Sequence, residues 1–193
     1  HTNVVNQAAE IAAYKSNRLI DCMPELGNLV TASLAAADRV LIPVQPLILD
    51  VEGLASIIGT IRKIRRKINP KLEIDGVLIT MADHRTNMTR DMIKAIHTSY
   101  GPHTRIYQAI VPRCTRVGES LTKSESVLRY SKQCPASTAY RALAKGSKYL
   151  AVSRIWRTNS PCCPATSVIS MHTSSPPPSR RITTHNSSMV MVT

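Results

Sequence analysis

Short apolar runs alternate with amphipathic segments over the first 150 residues of the chain. Four apolar runs are typical of buried strands and lie at 18–21, 39–44, 74–81 and 106–111. Four segments have the apolar spacing or the composition of helices and lie at 26–37, 51–68, 87–99 and 136–150. Strands that alternate with helices over short connections predict an α/β fold, with a mostly parallel sheet and helices on both of its faces.

The segment from Val51 to Ile68 gives the clearest helical pattern. Its leucine and isoleucine residues recur at intervals of three and four positions, which places them on one face of a helix. Five cations lie mostly on the opposite, solvated face: Arg62, Lys63, Arg65, Arg66 and Lys67. We expect the helix to end at Asn69, because the residue before a proline disfavours the helical conformation and Pro70 follows.

Residues 151–193 differ from the preceding residues in composition. They contain no acidic residue and no lysine, and they are rich in Ser, Thr and Pro. This composition predicts a disordered, low-complexity tail that follows a domain at 1–150. A tail read out of frame would show the same abrupt change, and the sequence leaves both interpretations open.

The charge and the cysteine content of the chain limit the classes of function that it could have. The chain has 193 residues, with 25 Lys and Arg against 12 Asp and Glu, so its formal charge is +13. Such an excess favours a polyanionic partner, nucleic acid first. No apolar run approaches the roughly 20 residues that span a membrane. Five scattered cysteines without a CxxC pair indicate neither a disulfide framework nor a zinc site. We therefore expect a cytoplasmic protein with no membrane partner.

Ligands of open parallel sheets bind beyond the carboxyl ends of the strands, and the first predicted strand ends in an acid. Asp21 closes that strand, and a turn with Pro24 and Gly27 follows. A carboxylate in this position suits Mg²⁺ beside a terminal phosphate. Many strands also end in an aspartate that only caps the next helix, so this motif alone is weak.

Two later strands also end in polar loops. Met81 and Asp83 follow the run at 74–81, where Thr86 or Asn87 could simply cap the next helix. The run at 106–111 is followed by Pro112 and Arg113, which are suited to flank a planar ring but are equally typical of a solvated loop.

The order of these motifs resembles the ParA/Soj family of chromosome- and plasmid-partitioning ATPases, a branch of the MinD/ParA class of P-loop proteins with a deviant Walker A motif. The resemblance extends from about Arg18 to Leu150 and includes IDCMPELG, AAADRVLIPVQ, LEIDGVLITM, D-x-RTN and IPR. It implies a P-loop NTPase-like fold, ATP and Mg²⁺ as cofactors, and an ATP-dependent homodimer. It further implies non-specific binding to nucleoid DNA and a ParB-like partner.

The resemblance also assigns roles to individual residues. Asp21 is implied as the Walker B acid that acts on Mg²⁺, with Pro24 and Gly27 in the switch that follows it. The residues implied in nucleotide binding are Met81, Asp83, Pro112 and Arg113. For DNA, Arg116 is the first candidate; weaker candidates are Arg85, Arg90 and the cations at 62–67.

The chain departs from the family pattern in its phosphate-binding residues. No KGGxGK(S/T) loop is present, nor the catalytic acid that follows it, and those amides and that lysine supply most of the grip on phosphate. We therefore expect a fragment that neither hydrolyses ATP nor binds it tightly, with no catalytic residue of its own. The absent first strand is expected to leave an apolar sheet edge exposed.

Two other functions stay open. The chain could be a non-catalytic basic module that binds DNA or a partner protein, which the absent loop favours. It could also be a MinD-like, membrane-cycling ATPase, although residues 151–193 lack the amphipathic helix that such a protein needs.

Overall fold

The computed structural model describes residues 19–22, 27–146, 169–170 and 189–192. Five strands lie in these ranges: β1 (Leu19–Cys22), β2 (Arg39–Val44), β3 (Glu73–Ile79), β4 (Ile169–Ser170) and β5 (Met189–Val192). The helices of the same ranges are α1 (Asn28–Ala36), α2 (Ile48–Lys67), α3 (Asn87–Tyr100), α4 (Thr115–Thr122), α5 (Val127–Tyr130) and α6 (Pro135–Gly146).

The five strands form one sheet in the order β3-β2-β5-β1-β4. β1 pairs in parallel with β4, and β5 pairs antiparallel with both β1 and β2. β2 and β3 run in the same direction, since the amides of Glu73 and Thr80 donate to the carbonyl oxygens of Asp38 and Val44. The predicted α/β class is confirmed, and β5 is the antiparallel member of the sheet.

β5 occupies the position between β1 and β2. Its Met191 lies opposite Ile20 on one side and opposite Val40 on the other. β1 therefore has a neighbouring strand on each side in the described sheet, and the expectation of an exposed apolar sheet edge stays a prediction. The described residues of the predicted tail are thus strand residues, and the rest of 151–193 lies outside the described residues.

One predicted strand was wrong. Residues 106–111 form no strand and meet β3 and its extension only through isolated bridges, Val77 with Ile106 and Ala82 with Pro112. The amide of Tyr107 donates to Val77, and the amide of Val111 donates to Ile79. From Tyr107 to Val111 the segment advances four residues, whereas β3 advances only two, from Val77 to Ile79. The two segments therefore do not form a regular ladder of hydrogen bonds.

The chain divides into two compact units. Within the described residues, the first comprises 19–42, 57–74, β4 and β5, and the second comprises 43–56 and 75–146. Fully buried apolar side chains in the first unit are Ile20, Leu34, Val40, Ile61 and Leu72. Those in the second unit are Leu54, Val77, Ile79 and Ile96. None of the described helices combines the length and apolar character needed to cross a membrane.

Candidate functional site

The extension of β3 and the segment around Pro112 lie side by side in the second unit. Ala82 pairs with Pro112 in a parallel bridge. The Ala82 amide donates to the Val111 carbonyl at 3.1 Å, and the Arg113 amide donates to the Ala82 carbonyl at 3.0 Å. These bonds bring together the two segments that contain the predicted nucleotide-binding residues Met81, Asp83, Pro112 and Arg113.

Met81 adopts an unusual backbone conformation at this place. Its φ is +52°, in the left-handed region that side chains other than glycine rarely adopt. A non-glycine residue there costs on the order of 1 kcal/mol. The turn directs the Met81 side chain to the surface, where 37% of the residue is exposed. An exposed methionine beside a polar loop is able to contact a planar ligand.

Asp83 is held by Arg85 rather than left open to a ligand. The Nε and Nη2 atoms of Arg85 donate to Oδ1 and Oδ2 of Asp83 at 2.9 and 2.8 Å, and the Arg85 amide donates to Oδ1 at 3.1 Å. These hydrogen bonds, together with the charges of Arg85 and Arg113, hold the pKa of Asp83 well below its usual range. The sequence predicted separate roles for Asp83 and Arg85, whereas the structure joins them as one ion pair.

The N-terminus of α3 follows this loop. The Thr86 hydroxyl accepts a hydrogen bond from the Thr89 amide at 3.3 Å, so Thr86 is the N-cap that the sequence allowed for. Asn87 instead accepts a hydrogen bond from Nη2 of Arg90 at 2.6 Å. Arg90, a predicted DNA contact, is therefore held against its own helix.

Arg116 begins the first turn of α4 and is also paired. Its Nη1 donates to Oε2 of Glu119 at 2.8 Å, and the Tyr130 hydroxyl donates to the same carboxylate at 3.1 Å. The Arg116 hydrogen bond is the main reason that the pKa of Glu119 lies below its ordinary value. The positive charge of Arg116 is thus compensated locally, which weakens it as a contact for phosphate.

The second half of α2 carries uncompensated positive charge. Ile61 and Ile64 are buried, and the five cations between Arg62 and Lys67 are exposed. Within the described residues none of these five forms an ion pair shorter than 4.0 Å. We call these five residues the α2 basic face. Sequence analysis ranked this face below Arg116 as a DNA contact, and both assignments stay predictions.

Asp21 lies in β1, in the first unit. Its Cα pairs with Ser170 on one side and Val190 on the other, and its side chain is partly buried. Pro24 lies outside the described residues, and Gly27 is the exposed N-cap of α1, where its carbonyl accepts from the Thr31 hydroxyl. Across the described ranges no three His, Cys, Asp or Glu residues are placed to hold a metal ion. Asp21 is therefore not part of such a cluster among the described residues, and its role toward Mg²⁺ stays a prediction.

Known proteins resemble this chain over most of the described residues. A family model described as an AAA domain matches residues 10–74. The chromosome partitioning protein ParA of Caulobacter vibrioides is 38% identical over 127 residues, which is 66% of this chain and 47% of that protein. The sporulation initiation inhibitor protein Soj of Bacillus subtilis is 34% identical over 127 residues, 66% of this chain and 49% of that protein. The chain spans about half the length of the curated relatives it matches.

A solved structure gives a consistent result for the fold. The cobyrinic acid a,c-diamide synthase of Mycobacterium smegmatis, crystallised with bound ADP and magnesium, superposes with a TM-score of 0.50 and 26% identity. The match covers 72% of this chain and 46% of that one. The α/β fold is thus that of P-loop NTPases, in a chain whose sequence lacks the P-loop itself.

Proposed function

We propose that this chain, a relative of the ParA/Soj chromosome-partitioning ATPases over two-thirds of its length, corresponds to the part of a partitioning ATPase that follows the phosphate-binding loop. The observation that carries the proposal is the 38% identity over 127 residues with a ParA protein. The parent protein would couple ATP binding and dimerisation to DNA binding, and a ParB-like partner would stimulate its hydrolysis.

The nucleotide base is proposed to lie at the Ala82–Pro112 bridge. Pro112 and Arg113 offer a rigid ring and a planar guanidinium to an adenine, and Met81 is exposed next to them in sequence. Asp83 and Arg85 neutralise each other, so they support the loop rather than compete for phosphate. Asp21 would act on Mg²⁺ once a P-loop supplied the remaining phosphate contacts. Bound Mg²⁺ would offset negative charge on the phosphates.

The coding DNA on the 5′ side of His1 tests the catalytic part of this proposal. If a KGGxGK(S/T) loop continues in frame into His1, the complete protein is expected to hydrolyse ATP, and Asp21→Ala should abolish hydrolysis. A matched variant, Asp38→Ala, should hydrolyse ATP normally. If an initiation codon lies directly before His1 and no such loop precedes it, the ATPase proposal is overturned.

The α2 basic face is the proposed contact with DNA phosphates. Binding of this kind is indifferent to base sequence, and log K falls with log salt concentration by about 0.9 for each phosphate neutralised. The complete protein would be titrated, with ATP and Mg²⁺ present, into two unrelated fluorescent duplexes over a range of salt concentrations. The double variant Arg62→Ala/Arg65→Ala should lower the slope by about 2.

Arg116→Ala is the matched control, because the charge of Arg116 is compensated by Glu119. It should leave the salt slope unchanged. A lower salt slope for Arg116→Ala, together with an unchanged salt slope for the double variant, would overturn the α2 assignment and favour Arg116 as the DNA contact.

ATP dependence separates this function from a non-catalytic DNA-binding module. The exposed cations of the α2 basic face are the observation that favours a module. A module binds DNA equally well with and without ATP and Mg²⁺, whereas the parent ATPase should bind only when both are present.

A further inference from the structure

The strand β5 lies between β1 and β2 in the first unit. All four of its residues pair with β1, and residues 190–192 also pair with β2. Because β1 and β2 are each antiparallel to β5, they run in the same direction as each other. β5 thus fills a gap between two strands that are mutually parallel. We call this gap the β1–β2 slot.

Backbone groups make the pairing that holds β5 in the slot. Met191, for example, lies between Ile20 of β1 and Val40 of β2. Strand pairing joins N–H and C=O groups, and it is the same whichever chain supplies the strand. The slot of one copy therefore fits β5 of a second copy as well as it fits its own β5. An empty slot would leave backbone groups of β1 and β2 unpaired, which favours capture of a strand from another molecule.

The connection that leads to β5 works against insertion into the chain's own slot. Residues 171–188 connect β4 to β5, which lie on opposite sides of β1. They leave β4 beside Asp21 and enter β5 beside Cys22, so the connection has to reverse its direction. Three consecutive prolines stand in it, at 176–178, and each proline fixes φ and favours a stiff, extended backbone. A stiff stretch raises the cost of closing the connection within one chain.

We propose that two copies of this chain exchange β5, so that each copy fills the β1–β2 slot of the other. The exchanged dimer keeps every strand pairing of the single chain and changes only which chain supplies β5. Its cost is therefore little more than the association of two copies. The exchange needs no nucleotide, so it is distinct from the ATP-dependent dimer of the proposed function and does not rest on it.

Protein concentration decides which arrangement forms. The chain's own β5 competes at an effective concentration that is millimolar for a short flexible connection and lower for one that closes with difficulty. Exchange is therefore expected when the chain concentration approaches about 1 mM, and the chain's own β5 is expected to fill the slot at about 1 µM.

A single substitution makes the exchange measurable in the full chain. Met189 lies directly opposite Cys22, a buried free cysteine. Directly opposite residues of antiparallel strands have Cα atoms about 4.5–5.5 Å apart, a separation that a disulfide can bridge. The variant Met189→Cys should therefore form a disulfide with Cys22 in the presence of oxidised glutathione. Met191→Cys is the matched control, because its neighbours Ile20 and Val40 carry no thiol.

Isotope labelling shows which chain supplies β5. Equal amounts of ¹⁵N-labelled and unlabelled Met189→Cys would be mixed in urea, refolded at about 1 mM or about 1 µM, oxidised, alkylated and digested. Trypsin places the two thiols in the separate peptides 19–39 and 182–193. At the higher concentration the share of linked peptides that join a labelled to an unlabelled chain should rise toward about half, since copies pair at random. At the lower concentration such hybrids should be absent.

Three results of this experiment overturn the proposal. Linked peptides without hybrids at the higher concentration would show that each β5 stays in its own chain. A complete lack of the linked peptide would show that β5 does not lie beside β1. An equally frequent link to Cys22 in Met191→Cys would show that the cross-link does not report the strand register.

Light scattering of the unsubstituted chain gives an independent measurement. A dimer should form at about 1 mM without ATP or Mg²⁺, and an excess of the peptide 188–193 should convert it to monomers by filling the slots. The peptide 182–187, from the same part of the sequence, is the control and should leave the dimer intact. A chain that stays monomeric, or a dimer that the peptide 188–193 does not dissociate, overturns the exchange.

Discussion

Tyr107 and Asp75 form a buried hydrogen bond in the second unit. Their exposed fractions are 3% and 6%, and the Tyr107 hydroxyl donates to Oδ2 of Asp75. The guanidinium of Arg105 lies 4.5 Å from the centre of the Tyr107 ring. Because hydrogen bonds to a buried carboxylate are stronger than those to a neutral acceptor, this contact is expected to matter for stability.

Tyr107→Phe should lower the free energy of unfolding by about 1.5–3 kcal/mol, since it removes a hydrogen-bond donor to a buried carboxyl group. Urea denaturation measures the change. Tyr100→Phe is the matched control, because the Tyr100 hydroxyl donates only to the neutral Val51 carbonyl, at 3.3 Å. It should cost no more than about 1 kcal/mol. An equal loss of unfolding free energy in the two variants would show that the Asp75 contact stabilises the fold no more than the Val51 contact does.

Asp83 makes a pH-dependent contribution to stability whose sign follows from its lowered pKa. A carboxyl group with a folded pKa below its unfolded pKa stabilises the fold above the unfolded value. That contribution is lost as the pH falls through the folded pKa. Arg85→Ala should therefore move the Asp83 titration midpoint, followed by NMR, upward toward the ordinary value for aspartate. Arg90→Ala, which removes a guanidinium bound to Asn87, should leave the Asp83 titration midpoint unchanged. An unchanged midpoint in Arg85→Ala would contradict this account.

The residues of the candidate site were only partly predictable. The sequence indicated that Met81 and Asp83 follow one predicted strand and that Pro112 and Arg113 follow another. The Ala82–Pro112 bridge brings these two segments together, although 106–111 is not a strand. Their nucleotide role is still a prediction. The Asp83–Arg85 pair was not predicted, because it depends on a loop conformation that no periodicity reports.

At the scale of the elements, Gly76 shows how closely β3 packs against the segment beside it. A Cβ atom added at Gly76 would lie 2.8 Å from Cε2 of Tyr107 and 3.0 Å from the Arg105 carbonyl oxygen. Gly76→Ala should lower the free energy of unfolding by about 1–3 kcal/mol, because backbone there cannot move aside cheaply. Gly59, inside α2, has nothing within 4 Å of such an atom. Gly59→Ala should stabilise the chain by about 0.5–1 kcal/mol in the same urea experiment, and destabilisation by both would contradict the packing argument.

Asn69 connects the end of α2 to the end of α1 within the first unit. Its Nδ2 donates to the carbonyl oxygens of Ala37 at 2.7 Å and Leu34 at 3.2 Å, groups left open at the end of α1. Asn69→Ala should cost about 1–2 kcal/mol in a thermal or urea unfolding experiment. Asn87→Ala should cost far less, since exposed Asn87 accepts only from Arg90. Similar losses for both asparagines would show that the bond to α1 contributes little.

Helices with repeated apolar spacing were the predictable elements. α2 was expected at 51–68 and occurs at Ile48–Lys67, since its isoleucines bury one face. The helices α4 and α5 were not predicted, because neither buries an apolar side chain. The buried residue of α4 is Ser120, and α5 has no buried residue. Neither segment has the long run of apolar residues at intervals of three and four that marked α2, so no helix was predicted there.

At the scale of the whole molecule, β5 is one of the elements that the sequence did not predict. Its pairing partners lie far away in the chain, and no local pattern reports such a pairing. The alternation of strand-like and helix-like segments, by contrast, correctly predicted an α/β fold, and motif order placed the chain near the ParA/Soj proteins.

Deletion of residues 189–193 should expose the backbone of β1 and β2. Hydrogen–deuterium exchange measures this directly. The amides of β2 that lie opposite β5, at Arg39–Leu41, should lose protection, because their partners are gone. The amides of α3, in the second unit, should keep theirs and serve as the internal control. Unchanged protection at 39–41 would show that β5 does not hold these strands.

The position of β5 in the sheet also determines when the strands can pair during synthesis. A ribosome makes β5 after the other four described strands, so the strand that lies between β1 and β2 emerges later than both of them. Until then β1 and β2 are nascent chain with open hydrogen-bonding groups and apolar side chains, the state that chaperones recognise. The sheet can therefore be completed only after β5 has left the ribosome, and the long loop that must close makes this step slow.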